Sequence, residues 1–258
     1  RVFLKASQDA IAGGNISANS ETGAGGRIAV AGTAVSVTGG AVLDASGATQ
    51  GGTILVGGGY QGKDATIANA ASTTVDVSAS LKADATGAGD GGLIVAWSDG
   101  RTSAHGSFSA RGGNSGGSGG LVETSGKRSL DVAGTRVDTR AADGSAGTWL
   151  LDPADITIIS GSATFNPDYA PTGSSSIVTD GDINATLETT NVSIATSAGS
   201  GGSGNITVNG NADTYPVYIS TSGSGARTLT LNADNNIDIH NGAYIFGSGG
   251  APLTLNLY

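Results

Sequence analysis

Polar and apolar residues alternate along this chain in short bursts, with glycine between the bursts. "VSV" (35–37), "VDV" (75–77) and "LDV" (130–132) each put two aliphatic side chains on one face with a polar residue between them. Alternation of that length predicts strands of three to five residues with one face buried. A second pattern, glycine-glycine-x-apolar, recurs as "GGRI" (25–28), "GGTI" (51–54), "GGLI" (91–94) and "GGLV" (119–122), and more weakly as "AGTW" (146–149). An apolar-x-small pair lies upstream of each: Ile16/Ala18, Leu43/Ala45, Leu81/Ala83, Phe108/Ala110 and Val137/Thr139. Three short strands therefore fill each period.

The intervals between these signals are 26, 40, 28 and 27 residues. The long one holds an insertion at 57–73, so the underlying period is about 27. A three-stranded turn cannot bury its inner face alone, but identical turns stacked on one another bury a continuous column. Ile28, Ile54, Ile94, Val122 and Trp149 are the expected column. The prediction is an all-β parallel β-helix of about ten rungs, nearly free of helix, with glycine at corners where positive φ is needed.

Three segments follow: glycine-rich repeats over 1–148, a junction strand and covering loop over 149–176, and an Asn/Thr-rich continuation over 177–258. The junction stands out because Trp149, Leu150 and Leu151 are consecutive. Strict alternation would leave Leu150 in water, so the loop over 160–176, with Phe165 and Tyr169, is expected to cover it. Asp152 and Pro153 end the strand, since proline cannot donate into a ladder. Charge changes here too. Residues 1–148 carry 11 Lys and Arg against 12 Asp and Glu, whereas 149–258 carry only Arg227 against nine acidic residues.

Composition excludes several kinds of chemistry. With no cysteine among 258 residues there is no disulfide and no thiolate catalysis or ligation. A net charge of −9 argues against nucleic acid, since no basic stripe exists to displace counterions. No apolar run approaches the roughly 18 residues of a membrane helix, so membrane insertion is not expected. Both ends read as strands cut in mid-pattern, as in a piece of a longer chain.

The segment "GGLVETSGKRSLDVAGTRVDTRAADGSAGTWLLDPADITI" (119–158) resembles part of the large filamentous-haemagglutinin-like and high-molecular-weight adhesins exported by two-partner secretion. "GNITVN" (204–209) and "TLTLNADNNIDI" (228–239) are similar to its continuation. The resemblance covers most of the chain. It implies a right-handed β-helix serving as the stalk or adhesive fibre of a secreted, cell-surface bacterial protein, with roles in adhesion, biofilm matrix or fibre formation. It also implies an outer-membrane secretion partner for the parent chain. Nothing matches the family's amino-terminal secretion domain, so this piece would be stalk interior, with end-to-end self-association as one mode of assembly.

Candidate chemistry is sparse. β-Helices also carry polysaccharide lyases and glycosidases that use paired carboxylates, which makes a carbohydrate-active enzyme the alternative reading. Asp152, Asp155, Asp168, Asp180 and Asp182 are its candidates, but each also reads as a strand stop, a flank or a turn, Asp180-Gly181-Asp182 being the turn. No catalytic residue, cofactor or metal is therefore expected. His105 and His240 lie on different repeats without partners of ligand type. Asp90 stands alone where a calcium-binding repeat would need an aspartate in every turn. Recognition of a host or bacterial surface glycan or protein would fall on Tyr60, Lys63 and Trp97, beside the insertion's Gln61 and the nearby Arg101. Sequons at Asn15, Asn184, Asn191 and Asn205 mark sites for glycosylation.

Overall fold

A computed structural model describes residues 1–164, 175–198, 201–223, 225–248, 250 and 252–258. Its strands stack in parallel around a common core, as a β-helix. The first side, sheet A, holds nine strands: β1 (Val2–Lys5), β4 (Arg27–Ala31), β7 (Thr53–Val56), β10 (Leu93–Ser98), β13 (Leu121–Gly126), β16 (Thr148–Leu151), β19 (Asn191–Ala195), β22 (Arg227–Asn232) and β25 (Leu253–Leu257). Sheet B also has nine: β2 (Asp9–Ala12), β5 (Ala34–Val37), β8 (Ser72–Val75), β11 (Arg101–Ala104), β14 (Ser129–Asp131), β18 (Ile177–Thr179), β17 (Ile156–Ile159), β20 (Ile206–Val208) and β23 (Ile237–Ile239). The third side is sheet C, with β3 (Asn15–Ser17), β6 (Val42–Asp44), β9 (Ser80–Lys82), β12 (Ser107–Ser109) and β15 (Arg136–Asp138). Beyond it lie β21 (Val217–Thr221) and β24 (Ala243–Gly247).

The register reproduces the predicted column and lengthens it. Val2, Ile28, Ile54, Ile94, Val122, Trp149, Val192, Leu229 and Leu255 follow one another up sheet A. Ile16, Leu43, Leu81, Phe108 and Val137 do the same up sheet C. Trp149 is wholly buried, and its indole N–H donates to Thr124 Oγ1 at 2.8 Å. Sheets A and B run through the junction without interruption, so nine layers form one stack rather than ten.

Three expectations change. "VDV" is shifted by two positions: Val37 pairs with Val75 and Val35 with Thr73, leaving Val77 outside the strand and exposed. Thr73 can occupy an inward position because its hydroxyl donates to Trp97 O at 2.7 Å. The first glycines of the repeat signal serve close approach and not positive φ. A Cβ on Gly25, Gly51, Gly91 or Gly119 would meet a carbonyl oxygen of an adjacent segment within 1.7–2.1 Å. Positive φ is used instead in the turns before sheet C, at Gly14, Gly40 and Gly134.

The third change is a helix, α1 (Asp180–Leu187), where the sequence reads as a turn. Thr179 caps it by accepting from Asp182 N at 3.0 Å and donating to Asp182 Oδ2 at 2.8 Å, which satisfies a backbone donor that an open helix end would leave unpaired. Ile183 and Leu187 point into the core. The helix occupies the third side, in contact with β15 and β21, so it replaces a strand in that layer. The chain reaches it by returning through β18, which pairs between β14 and β17 and is the one strand out of chain order. The expected cover of Leu150 by Phe165 and Tyr169 lies outside the described residues, as does Asp168.

Candidate functional site

Most outward positions of a solenoid meet solvent. On sheet A the outward column Ala29, Leu55, Val95, Glu123 and Leu150 is buried along its whole length. For Ala29, Leu55, Val95 and Glu123 the insertion is the reason. Residues 58–69 leave the stack and return at a neck closed by Ala70 N–H to Gly57 O, and they fold back over the sheet. Ile67 packs with Ala29, Ala31, Leu55, Val95 and Trp97 in a second, smaller apolar cluster. The repeat resumes at Ser72, so Ser72 and Thr73 belong to β8 and not to the insertion.

Trp97 is thus not an exposed recognition residue. It is 5% exposed and lies beneath the insertion, where Gly58 and Gly62 allow the backbone onto its ring. A Cβ on Gly62 would come within 2.6 Å of Trp97 Cε2. Trp97 Nε1 is buried with no hydrogen-bond partner among the described residues. Tyr60 is 41% exposed and Lys63 is exposed, with Lys63 Nζ donating to Gln61 Oε1 at 3.0 Å.

Glu123 fixes this lid. Its side chain is fully buried on the outer face of β13, and both carboxylate oxygens accept from Gln61 N–H, at 3.2 and 2.9 Å. Gln61 takes a left-handed φ of 52°, the one positive φ of a non-glycine among the described residues, and such strain persists only where surrounding contacts hold it. Burial pushes the Glu123 carboxyl up to about 7 despite the stabilising Gln61 N–H and Ser125 hydroxyl; Asp152 raises it further and Lys63 opposes the rise. Asp152 is itself raised by burial, against hydrogen bonding from Ser197 and the charge of Lys63. The Tyr60 phenol is raised by burial first, then by Glu123 and Asp152.

Beside the lid lies a cavity of about 380 Å³ lined by Lys63, Trp97, Asp99, Lys127, Asp152 and Ser197, among others. The junction and the insertion, far apart in sequence, therefore meet at one place. Asp152 and Pro153 turn the corner after β16: Asp152 N donates to Ser125 Oγ at 3.1 Å, and Ser197 N to Pro153 O at 3.2 Å. Leu150 and Leu151 are buried on opposite faces of the strand.

The other candidates are engaged in holding rungs together. Asp155 accepts from Ser203 N and Asn205 N, Asp180 from Gly161 N and Tyr218 N, and Asp182 from Gly134 N. Asn184 bridges to Tyr218 O and Ser220 N, Asn191 to Ala146 O and Thr228 N, and Asn205 accepts from Asn235 Nδ2. Asn15 is exposed on β3. His105 does have a neighbour of ligand type: its Nε2 lies 3.6 Å from Asp131 Oδ2, which Arg101 also binds at 3.0 Å. His240 meets Asn209 Oδ1 at 3.1 Å. Among the described residues no three His, Asp or Glu side chains gather where they could hold a metal ion, and no helix there is long and apolar enough to cross a membrane.

The role of Glu123 does not show in the sequence, because "VETS" presents only a charged residue on an outward strand position. The cue is the insertion itself, which must cover some outward face. No protein-family model matches the chain, and no curated protein is significantly similar to it.

Proposed function

We propose that the chain is a rigid stalk segment of a secreted bacterial surface protein of the adhesin kind, exported with the help of an outer-membrane partner. The observation that supports this reading is the unbroken parallel stack from β1 to β25, in which polar side chains are spent mainly on joining one rung to the next. Such a device extends in one dimension and resists bending through neighbour contacts. The lid cavity is a lateral recognition site for a surface glycan or protein.

The test is immunolabelling of intact cells and culture medium of the native host with antibody against this segment. Labelling of the surface or medium is expected; a signal appearing only after permeabilisation overturns the reading. The enzymatic alternative draws on the proximity of Glu123 and Asp152, but a carboxylate sealed from solvent with both oxygens engaged cannot reach a glycosidic oxygen. Release of reducing ends from a polysaccharide by the parent protein, lost in Asp152→Asn, would favour that alternative.

A further inference from the structure

We propose that a depression on the third side of the stack, between the outer face of sheet C and helix α1, binds a small organic carboxylate. The depression, about 460 Å³, arises where the helix takes the place of a strand. The side chains of Ala163 and Ala185 supply its apolar surface beside the backbone of Phe108 and Val137, whose side chains face the core, and Arg111, Arg136 and Arg140 stand around it.

Two of the guanidiniums are held in place from behind. Arg111 donates through Nε and Nη2 to Asp84 Oδ2 at 3.2 and 2.8 Å, and Asp84, only 4% exposed, is itself fixed by Ser109 Oγ and Arg111 N. Arg140 donates through Nε and Nη2 to Asp138 at 2.9 Å. Each has five N–H donors, so each keeps donors beyond those its carboxylate uses, and the two side chains are 49% and 60% exposed. Arg136 is exposed on β15 and pairs with no carboxylate among the described residues.

Charge identifies the ligand class. Three arginines against Asp84 and Asp138 leave an excess of one positive charge, in a chain whose net charge is −9. That suits a monoanion and disfavours a polyanion, which the rest of the surface repels. A planar guanidinium fork matches a carboxylate in two parallel hydrogen bonds, and the two alanines with the arginines' own methylenes and guanidinium planes suit a ring attached to it. An aryl acid and a uronic acid are the two sources of that chemistry.

Saturation-transfer NMR on the intact chain tests the proposal, with benzoate and galacturonate as probes and benzyl alcohol and galactose as neutral controls. Transfer to an acid but not to its neutral control is expected, and which acid responds identifies the source. Arg136→Ala should weaken binding about tenfold or more, as expected for loss of a charge-assisted bond. Ala185→Trp should block the depression without changing any charge, while Lys5→Ala on β1 should leave binding as it was. Circular dichroism and thermal melting verify that each variant folds. Absence of transfer to both acids overturns the proposal. So does undiminished binding in either Arg136→Ala or Ala185→Trp, since the anion would then sit elsewhere.

Discussion

At the scale of single residues, Glu123 is where chemistry and architecture meet. A carboxyl raised to about 7 in the folded chain binds its proton more tightly there than in the unfolded chain, where its value is near 4.5. Its contribution to stability is thus complete below about pH 4.5 and is lost as pH rises to 7 and beyond, a change on the order of 3 kcal/mol. Asp182, raised to about 6 by burial despite its bonds to Thr179 and Gly134, acts in the same direction over a lower window. Urea unfolding of the parent should therefore show lower stability at pH 8 than at pH 5. Glu123→Gln, which keeps an acceptor for Gln61 N–H but carries no charge, should flatten much of that slope and raise stability at pH 8. An unchanged slope would mean that Glu123 titrates normally and that the lid is not closed over it.

At the scale of elements, the strands were legible and the departures from repetition were not. Period-2 alternation and the spacing of "GGRI", "GGTI", "GGLI" and "GGLV" locate the strands of sheet A because every rung repeats the same packing problem. "VDV" misleads because a buried threonine satisfied by a carbonyl looks polar in sequence, while the exposed Val77 looks like core. The helix escaped notice because its cap, "TDGD", is also turn composition, and only the packing of Ile183 and Leu187 against the core distinguishes the two. The same packing makes the cap measurable: Thr179→Ala should cost about 1 kcal/mol and raise amide exchange over 180–187. Because residues 57–73 lie outside the repeat count, the spacing alone predicts that their deletion leaves folding intact and touches no buried side chain. The insertion's cluster with Leu55, Val95 and Trp97 implies otherwise. Because Gly57 and Ala70 already meet at the neck, removing 58–69 can leave the ladders intact while uncovering these side chains, each of which gains about 1.5–3 kcal/mol from full burial. The expected product is folded but binds an apolar dye and exchanges faster over 93–98. If neither changes, the outer cluster contributes nothing to the fold.

At the scale of the whole molecule, nine layers at about 4.8 Å make a stack near 40 Å long, and its stability is a sum of neighbour interfaces and not a property of one globular core. Trp149 tests that difference. It lies in the middle of sheet A, between Val122 and Val192, and its indole is tied to Thr124 of the layer before. Truncation to alanine removes a large buried side chain and leaves Thr124 without its donor, at about 3–5 kcal/mol. In a globular protein with a single cooperative transition that loss would lower protection everywhere. In a stack it should fall on β13, β16 and β19 and fade toward β1 and β25, because each layer meets only its neighbours. Hydrogen exchange resolved along the chain distinguishes the two outcomes. Protection lost evenly from residue 2 to residue 257 would mean that the layers unfold as one unit, and a stalk that yields locally under load would then be the wrong description of this molecule.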